Sequence, residues 1–193
     1  MHEVEVRPAT SWPDVAAVLG PNGGSSGCWC LWFRVPGGEF RELGGDERRD
    51  RLRSLVESGT PTAAPGLLAY ADGTPVGWCA VAPREEYTRL ARSPITRPAD
   101  RDETGVWAVT CFYVTRAGRG RGVAAALLEA AVDHAAGQGA VAVEGYPVDS
   151  GRRLAAGELY HGWRSLFEDA GFTEVARRSP SRPVMRRPLP GPS

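Results

Sequence analysis

The stretch RAGRGRG, residues 116–122, holds three arginines and three glycines, and the residues after it are almost all alanine and leucine. Arginine carries a forked set of N–H donors that matches the oxygens of a phosphate. Glycine lacks a Cβ atom, so the oxygens of a ligand can approach its backbone closely. A helix that begins directly after such a stretch has unpaired N–H groups and a partial positive charge at its first turn. The sequence therefore predicts a phosphate-binding turn at the start of a helix.

Other interpretations of this turn account for fewer of its features. A nucleic-acid-binding segment of arginine and glycine would repeat in disordered sequence, and the chain balances 23 positive against 23 negative residues. A plain solvated turn is the second alternative, but it does not explain the slim, alanine-rich helix start. A Walker loop needs a lysine, which the chain lacks, and the glycines at 118, 120 and 122 do not have dinucleotide-fingerprint spacing.

The segments around the turn predict an α/β fold in a single domain. Residues 105–114, GVWAVTCFYV, are apolar nearly throughout, as is typical of a strand buried on both faces. Asp72 and Gly73 lie between two apolar runs and predict a hairpin, whereas residues 45–58 have the pattern of an amphipathic helix. The order is strand, helix, helix, hairpin, strand, helix, strand, helix, strand, strand, which predicts a mixed sheet covered by helices.

The segment VTRAGRGRGVAAALL resembles the central motif of the GNAT superfamily of N-acetyltransferases, R/Q-x-x-G-x-G/A after a strand that ends in valine. Arg119, Gly122 and Ala124 occupy the fixed positions of that motif, and Val114 lies five residues before the arginine. The later SLFEDAGF resembles a second signature of the superfamily, in which three residues separate an aromatic residue from Gly-Phe. The resemblance covers residues 66–188. It implies the GNAT fold, a mostly antiparallel sheet of about seven strands, splayed in the middle and flanked by about four helices.

The resemblance also implies acetyl-CoA as the co-substrate, with no metal. The pyrophosphate of coenzyme A would lie against the turn formed by Arg119, Gly120, Arg121, Gly122, Val123 and Ala124. The strand edge at Phe112, Tyr113 and Val114 would pair its backbone with the pantetheine arm, as an added strand would. A backbone N–H near Val114 would then polarise the acetyl carbonyl.

Acetyl transfer to an amine also needs a base and an acid that protonates the leaving thiolate. The superfamily often supplies the acid from a tyrosine four residues before the glycine of its second signature, where this chain has Phe167. Tyr160 lies about two turns earlier on the predicted helix 157–172 and is the replacement candidate. Packing of its ring is the alternative interpretation. The neighbouring His161 is predicted to be exposed.

Glu144 is the candidate base or anchor for the substrate amine. It interrupts the apolar strand AVAVEGYPV at the point where the strands of the superfamily diverge. A charged group in such a strand must face a solvated cleft or be paired. A carboxylate in the cleft could bind or deprotonate the amine, and otherwise its partner would be an arginine.

The aromatic segment GCWCLWFR follows a glycine-rich loop and has two interpretations. Trp29 and Trp32 are candidates for the wall of the acceptor pocket. Together with Phe33 they also have the spacing of one helix face, which favours burial in the core. The sequence does not decide between the two.

Composition and patterning bound the other properties of the chain. No apolar run approaches the roughly 20 residues that span a bilayer, and the N-terminus lacks the apolar part of a signal peptide. We therefore expect a cytoplasmic protein without membrane or nucleic-acid partners. The cysteines lack zinc-site spacing and are expected to be reduced; they are Cys28, Cys30, Cys79 and Cys111.

These observations predict an acetyl-CoA-dependent N-acetyltransferase that acts directly on a primary amine of a small molecule or peptide, in one domain over residues 1–188. Residues 189–193 are expected to be a disordered tail. The alternative is a non-catalytic acyl-CoA-binding module, which the absence of the usual tyrosine at Phe167 favours. The exposed aromatic residues allow a homodimer and do not require one.

Overall fold

The computed structural model describes residues 4–24, 26–98, 100–150 and 160–190, and one seven-stranded sheet runs through them. Its strands are β1 (Val4–Pro8), β2 (Leu67–Ala71), β3 (Thr74–Pro83), β4 (Val106–Val114), β5 (Ala142–Gly145), β6 (Thr173–Ser179) and β7 (Arg182–Pro188). Across the sheet the order is β1-β2-β3-β4-β5-β7-β6. Only β4 and β5 pair in parallel, and the other neighbours are antiparallel. The predicted mixed, mostly antiparallel sheet is confirmed.

Six α-helices accompany the sheet within the described residues, where about four were expected. They are α1 (Trp12–Leu19), α2 (Gly37–Glu42), α3 (Gly45–Ser58), α4 (Thr88–Arg92), α5 (Val123–Gly137) and α6 (Arg164–Asp169). The two helices beyond the expected four, α2 and α4, are six and five residues long. Such short helices show too few turns for a periodic pattern. None of the described helices is long and apolar enough to cross a membrane.

The sheet has an apolar core on each face. Alternate residues of β2 point to opposite faces, so Leu67 and Ala69 belong to one core, whereas Leu68 and Tyr70 belong to the other. The first core is closed by α5, which contacts β1 to β5, and the second by α1 and α3. This layering holds β4 in the middle of the molecule.

The sheet opens between β4 and β5. The two strands pair only over Val106–Val109 and Ala142–Gly145, whereas β4 continues to Val114. The buried ring of Phe167 fills the closed end of this opening, 6.1 Å from the ring of Phe112. A Cβ atom at Gly145 would overlap the Phe167 ring, which is why a glycine ends β5. The predicted splay in the middle of the sheet is thus present along the second half of β4.

One predicted helix is shorter in the structure than the sequence indicated, and the helical interpretation of the aromatic segment is wrong. The helix predicted over 157–172 is helical only over α6, because Gly162 has a φ of 72° and the carbonyls of Tyr160 and Gly162 accept hydrogen bonds from Phe112 and Val148; residues 157–159 lie outside the described residues. The aromatic segment after the glycine loop forms turns, since Trp29 and Cys30 have φ values of 48° and 54°.

Local turn chemistry was predicted more accurately. Asp72 and Gly73 both adopt the left-handed conformation and join β2 to β3 as a hairpin, and α3 covers the predicted residues 45–58.

The expected disordered tail is wrong at its first residue, because Leu189 donates its backbone N–H to Val141 and packs against the core. Residues 191–193 lie outside the described part of the chain.

Candidate active site

The glycine-rich turn after β4 presents a row of free backbone donors. Gly120 and Gly122 have φ values of 72° and 75°, which only glycine adopts readily, and α5 begins directly after them. The amide of Arg119 bonds to Arg116, and the next amide with a backbone partner is that of Ala126. Between them, the amides of residues 120–125 have no acceptor among the described residues. This geometry suits an anion with several oxygens.

These amides line a cavity of about 560 Å³ between the turn and the open half of β4. The cavity wall comprises Gly24, Phe112, Tyr113, Val114, Gly118, Arg119, Gly120, Gly122, Val123, Ala124, Ala125, Tyr160, Gly162, Trp163 and Leu166. Of the nine residues predicted for the cofactor, the structure places all but Arg121 there. Arg121 instead donates to Asp72 at the hairpin, 3.1 Å away. Arg119 is exposed and forms no ion pair with a described residue.

The edge of β4 offers this cavity one backbone amide. The amide of Phe112 is already taken by the carbonyl of Tyr160, at 2.5 Å, and the amide of Thr115 bonds to Val76 on β3. Because successive residues of a strand point their amides to opposite sides, the amide of Val114 faces the opening. The Phe112 amide is engaged within the chain.

A second cavity of about 310 Å³ adjoins the first one. It is lined by Leu19, Gly23, Gly24, Ser26, Cys28, Cys30, Trp32, Phe33, Thr110, Cys111, Tyr113, Tyr160 and His161. Gly24, Tyr113 and Tyr160 line both cavities, so the two spaces meet at these residues. The described residues therefore form a long cavity for an anionic ligand and a smaller chamber at its inner end.

His161 forms part of the smaller chamber and is not exposed as predicted. Its Nδ1 atom lies 2.9 Å from the carbonyl oxygen of Thr110, and its ring lies edge-on to Phe33 at 5.5 Å. A carbonyl oxygen can only accept, so Nδ1 carries the proton and Nε2 is left as an acceptor. Burial and the charge of Arg182 lower the pKa of His161 to about 4. The ring is thus neutral at pH 7.

Glu144 lines neither cavity. Its carboxylate is fully buried and accepts hydrogen bonds from Arg84 at 3.2 Å, from the phenol of Tyr146 at 3.0 Å and from Arg186 at 3.4 Å. Burial and the neighbouring carboxylate raise the pKa of the Tyr146 phenol well above its ordinary value. Arg84, itself only 6% exposed, is the arginine partner that the sequence offered as the alternative for Glu144.

The structure separates the two tryptophans. Trp29 is buried beside Trp12, with ring centroids 5.9 Å apart, and belongs to the core. Trp32 is 43% exposed and forms part of the wall of the smaller chamber, with the guanidinium of Arg89 3.6 Å from its ring centroid. Each of the two interpretations of the aromatic segment therefore describes one of these residues.

Three thiols share the wall of the smaller chamber, and all four cysteines are free. The sulfur atoms of Cys30 and Cys111 lie 3.7 Å apart, and Cys30 also accepts from the indole N–H of Trp78 at 3.1 Å. Burial raises the pKa of Cys28 to about 11, so this thiol is protonated at pH 7. Within the described residues, no group of three side chains could hold a metal ion.

His161 and the thiols are the chamber residues that the sequence did not select. Cys28 and Cys30 lie next to the predicted Trp29, but Cys111 and Thr110 are part of β4, where only the residues after 111 were assigned to a ligand. No periodic signal marks His161, because the segment around it was assigned to a helix. Its proximity to Tyr160 was the only available clue.

The fold, the glycine turn and the cavity beside it are the features that the resemblance of the motif predicts. The model of the acetyltransferase (GNAT) family matches residues 29–163, more than half of the chain. The chain belongs to this family.

Solved structures share the fold over nearly the whole chain. A PaiA N-acetyltransferase from Thermoplasma acidophilum, in complex with coenzyme A, is 14% identical with a TM-score of 0.57, covering 97% of this chain and 99% of that one. YncA from Salmonella typhimurium, solved with its cofactor acetyl-CoA, is 16% identical with a TM-score of 0.56, covering 97% and 94%. A ribosomal-protein-alanine N-acetyltransferase from Brucella melitensis is 15% identical with a TM-score of 0.55, covering 96% and 99%. No curated protein matches the sequence significantly.

Proposed function

We propose that this protein transfers an acetyl group from acetyl-CoA directly to a primary amine. The observation that carries the proposal is the row of free amides at residues 120–125, which opens α5 beside a cavity that continues into a second chamber. A diphosphate needs several donors at once, and the turn supplies them together with the unpaired Arg119. Two relatives of the same fold are solved with coenzyme A or acetyl-CoA.

In this proposal each part of the cofactor occupies a part of the two cavities. The diphosphate lies at the glycine turn, and the pantetheine arm runs along the open half of β4. The thioester lies near Tyr160, where the two cavities meet. Because the Phe112 amide is occupied by Tyr160, the amide of Val114 is the one left for the cofactor.

The chemistry takes place at the junction of the two cavities. The amine nitrogen bonds to the acetyl carbon, and the carbon–sulfur bond then breaks and releases a thiolate. The phenol of Tyr160, which lines both cavities, protonates this sulfur. The ammonium form of the amine first loses one proton to solvent, and the neutral Nε2 of His161 accepts a hydrogen bond from the resulting amine as it attacks. The attacking nitrogen then loses a second proton to solvent, and the phenolate of Tyr160 regains a proton from solvent. Phe167 takes no part, because its ring is buried outside both cavities.

We assign Glu144 a structural role in place of the expected base. A proton transfer requires a hydrogen bond between the carboxylate and the amine or one intervening water. The Glu144 carboxylate is 0% exposed and already bonded to Arg84, Arg186 and Tyr146. It neutralises the buried Arg84 and fixes β5 to β7 beside the opening.

The experiment is a comparison of binding and turnover in the full chain. Calorimetry with coenzyme A measures the cofactor site, and thiol release from acetyl-CoA with a panel of primary amines measures transfer. We expect both signals, with formation of the N-acetylated amine confirmed by mass. Coenzyme A binding without thiol release for any amine would leave the non-catalytic acyl-CoA-binding module, which the absence of a tyrosine at Phe167 favours. The single domain over residues 1–188 and the cytoplasmic location stay predictions.

A further inference from the structure

The smaller chamber differs from the rest of the molecular surface in its charge. Of the described residues that line it, none is Asp, Glu or Arg, although charged residues make up 24% of the chain. Its wall is formed by aromatic rings, thiols, a leucine and a few hydroxyl groups, and the imidazole of His161 is neutral at pH 7. A charged group inside such a chamber would lose its hydration without gaining an ionic partner.

The charges just outside the chamber are positive. The guanidinium of Arg89 lies 3.6 Å from the ring centroid of Trp32. Arg182 is close enough to His161 to lower its pKa, and it donates to the carbonyl of Tyr146. The carboxylate of Glu86 is occupied by Arg34. A second ammonium group on the acceptor would therefore meet repulsion at the chamber, and no described residue of its wall offers a carboxylate to bind it.

Its size and shape suit a compact ligand. The volume of about 310 Å³ is near the lower end of small-molecule pockets, which begin at about 300 Å³. The indole of Trp32 is 43% exposed, with the guanidinium of Arg89 over its ring, and Phe33 contributes a buried ring beside His161. Aromatic side chains of this kind bind apolar and aromatic ligand surfaces.

We propose that the acceptor is a compact primary amine with an aliphatic or aromatic body that carries no further charge. This inference rests on the proposed acetyl transfer and deepens it, because it names the chemical class that enters the smaller chamber. The amine nitrogen reaches the junction at Tyr160, where it bonds to the acetyl carbon as the thiol leaves. The body of the amine lies against Trp32.

Three amines of nearly equal size test this inference. They are 4-methylbenzylamine, 4-(aminomethyl)benzylamine, which carries a second ammonium, and 4-(aminomethyl)benzoate, which carries a carboxylate. We expect kcat/KM to be at least about tenfold higher for the methyl compound than for either charged one, equivalent to about 1.4 kcal/mol. An equal or higher kcat/KM for a charged compound would overturn the inference and leave the proposed transfer intact.

Two variants locate the effect in the chamber. Trp32→Ala should raise KM for 4-methylbenzylamine about tenfold with little change in coenzyme A affinity. Ile95→Ala removes a similarly exposed apolar side chain that lines neither cavity, and it should leave KM unchanged. An unchanged KM in Trp32→Ala would contradict the assignment of the chamber.

A binding measurement separates this inference from the proposed function. Calorimetry of N-(4-methylbenzyl)acetamide with protein saturated with coenzyme A reports on the chamber even if no amine turns over. Binding of this neutral amide, weakened in Trp32→Ala, without any turnover would support the chamber assignment and refute the transfer. If the neutral compounds neither bind nor are acetylated, the inference is overturned.

Discussion

The Nδ1 atom of His161 lies 2.9 Å from the carbonyl oxygen of Thr110, the residue that a bulge in β4 leaves without a partner on β3. The bulge directs this carbonyl toward the opening, and the imidazole closes the chamber beside it. The two residues are 51 positions apart in sequence. Their contact links the segment before α6 to the strand that lines the cofactor cavity.

The burial of His161 predicts a pH dependence of stability. Burial lowers the pKa of His161 from 6.5 to about 4. Between these pH values His161 is therefore protonated in the unfolded chain and neutral in the folded protein. The free energy of unfolding should therefore fall as the pH drops from 6.5 to 4, by at most about 3 kcal/mol from this residue. Urea unfolding at several pH values measures it.

The His161→Asn variant isolates this contribution, since its amide can still donate to Thr110 but does not titrate. Its free energy of unfolding should depend less on pH between 4 and 6.5 than that of the wild type. Burial also lowers the pKa of His134, so His134→Gln is the control. This variant should keep the contribution of His161 to the pH dependence of the free energy of unfolding. Identical pH profiles for the wild type and His161→Asn would show that His161 titrates as a free histidine.

The glycine turn allows a test with a closely matched control. Gly122 and Gly139 have φ values of 75° and 76°, and a Cβ atom at either would meet nothing within 4 Å. Valine at either site should cost a similar free energy of unfolding, about 1 to 2 kcal/mol for a left-handed residue. Only Gly122 lines the cofactor cavity. Gly122→Val should therefore weaken coenzyme A binding at least about tenfold, whereas calorimetry of Gly139→Val should give the wild-type affinity.

A shared loss of affinity in both valine variants would mean that backbone strain alone weakens binding. An unchanged affinity of Gly122→Val for coenzyme A would contradict the assignment of the diphosphate to this turn. Thermal unfolding of both variants establishes that their stabilities are comparable.

Features within one sequence window were predictable from local chemistry. The hairpin at Asp72 and Gly73 follows from the need for two left-handed residues. The turn before α5 follows from the glycines at 120 and 122. In both cases the information that sets the backbone lies in adjacent residues, and the structure agrees with it.

Features set by distant residues were not predictable. The segment around Gly162 has a helix-like pattern, but hydrogen bonds to Phe112 and Val148 hold it in the opening of the sheet instead. Glu144 finds Arg84 across 60 positions, and a single sequence does not identify which arginine that will be. Trp29 adopts a φ of 48° that its residue type disfavours, because its ring is buried in the core.

The two arginines of the turn should differ in their effect on the cofactor. Arg119 is exposed at the cavity and forms no ion pair with a described residue, whereas Arg121 donates to Asp72. Arg119→Gln removes a charge-assisted hydrogen bond to phosphate, worth about 1.5 to 3 kcal/mol, and should weaken coenzyme A binding at least tenfold, about 1.4 kcal/mol. It should also reduce the salt dependence of the affinity. Arg121→Gln should change the affinity by less than about threefold; an inverted order would assign the phosphate to Arg121.

The Glu144 and Arg84 pair should affect stability more than turnover. Glu144→Gln leaves Arg84 with a buried, uncompensated charge, which should cost about 3 kcal/mol, or about 10 °C in Tm. The double variant Arg84→Met with Glu144→Gln removes that charge and should recover part of the loss. The folded fraction of Glu144→Gln should keep kcat within about threefold of the wild type. A large loss of kcat at unchanged Tm would instead support the role of Glu144 as the base or the anchor for the substrate amine.

Tyr160 and Tyr113 provide the matched pair for the acid. Both residues line both cavities, but only the phenol of Tyr160 is proposed to protonate the leaving thiolate. Tyr160→Phe keeps the ring and the backbone carbonyl that binds Phe112, so the opening keeps its shape. Its kcat should fall by about 100-fold, the lower end of general acid catalysis, while coenzyme A affinity stays the same.

Tyr113→Phe should retain most of the wild-type kcat, because its hydroxyl is not used in the transfer. Single-turnover measurements with acetyl-CoA and a saturating amine separate the chemical step from product release in both variants. If Tyr160→Phe transfers acetyl groups as fast as the wild type, the thiolate takes its proton from solvent. If Tyr113→Phe is the slower variant, the acid is the phenol on β4, and Tyr160 acts only through its carbonyl bond to Phe112.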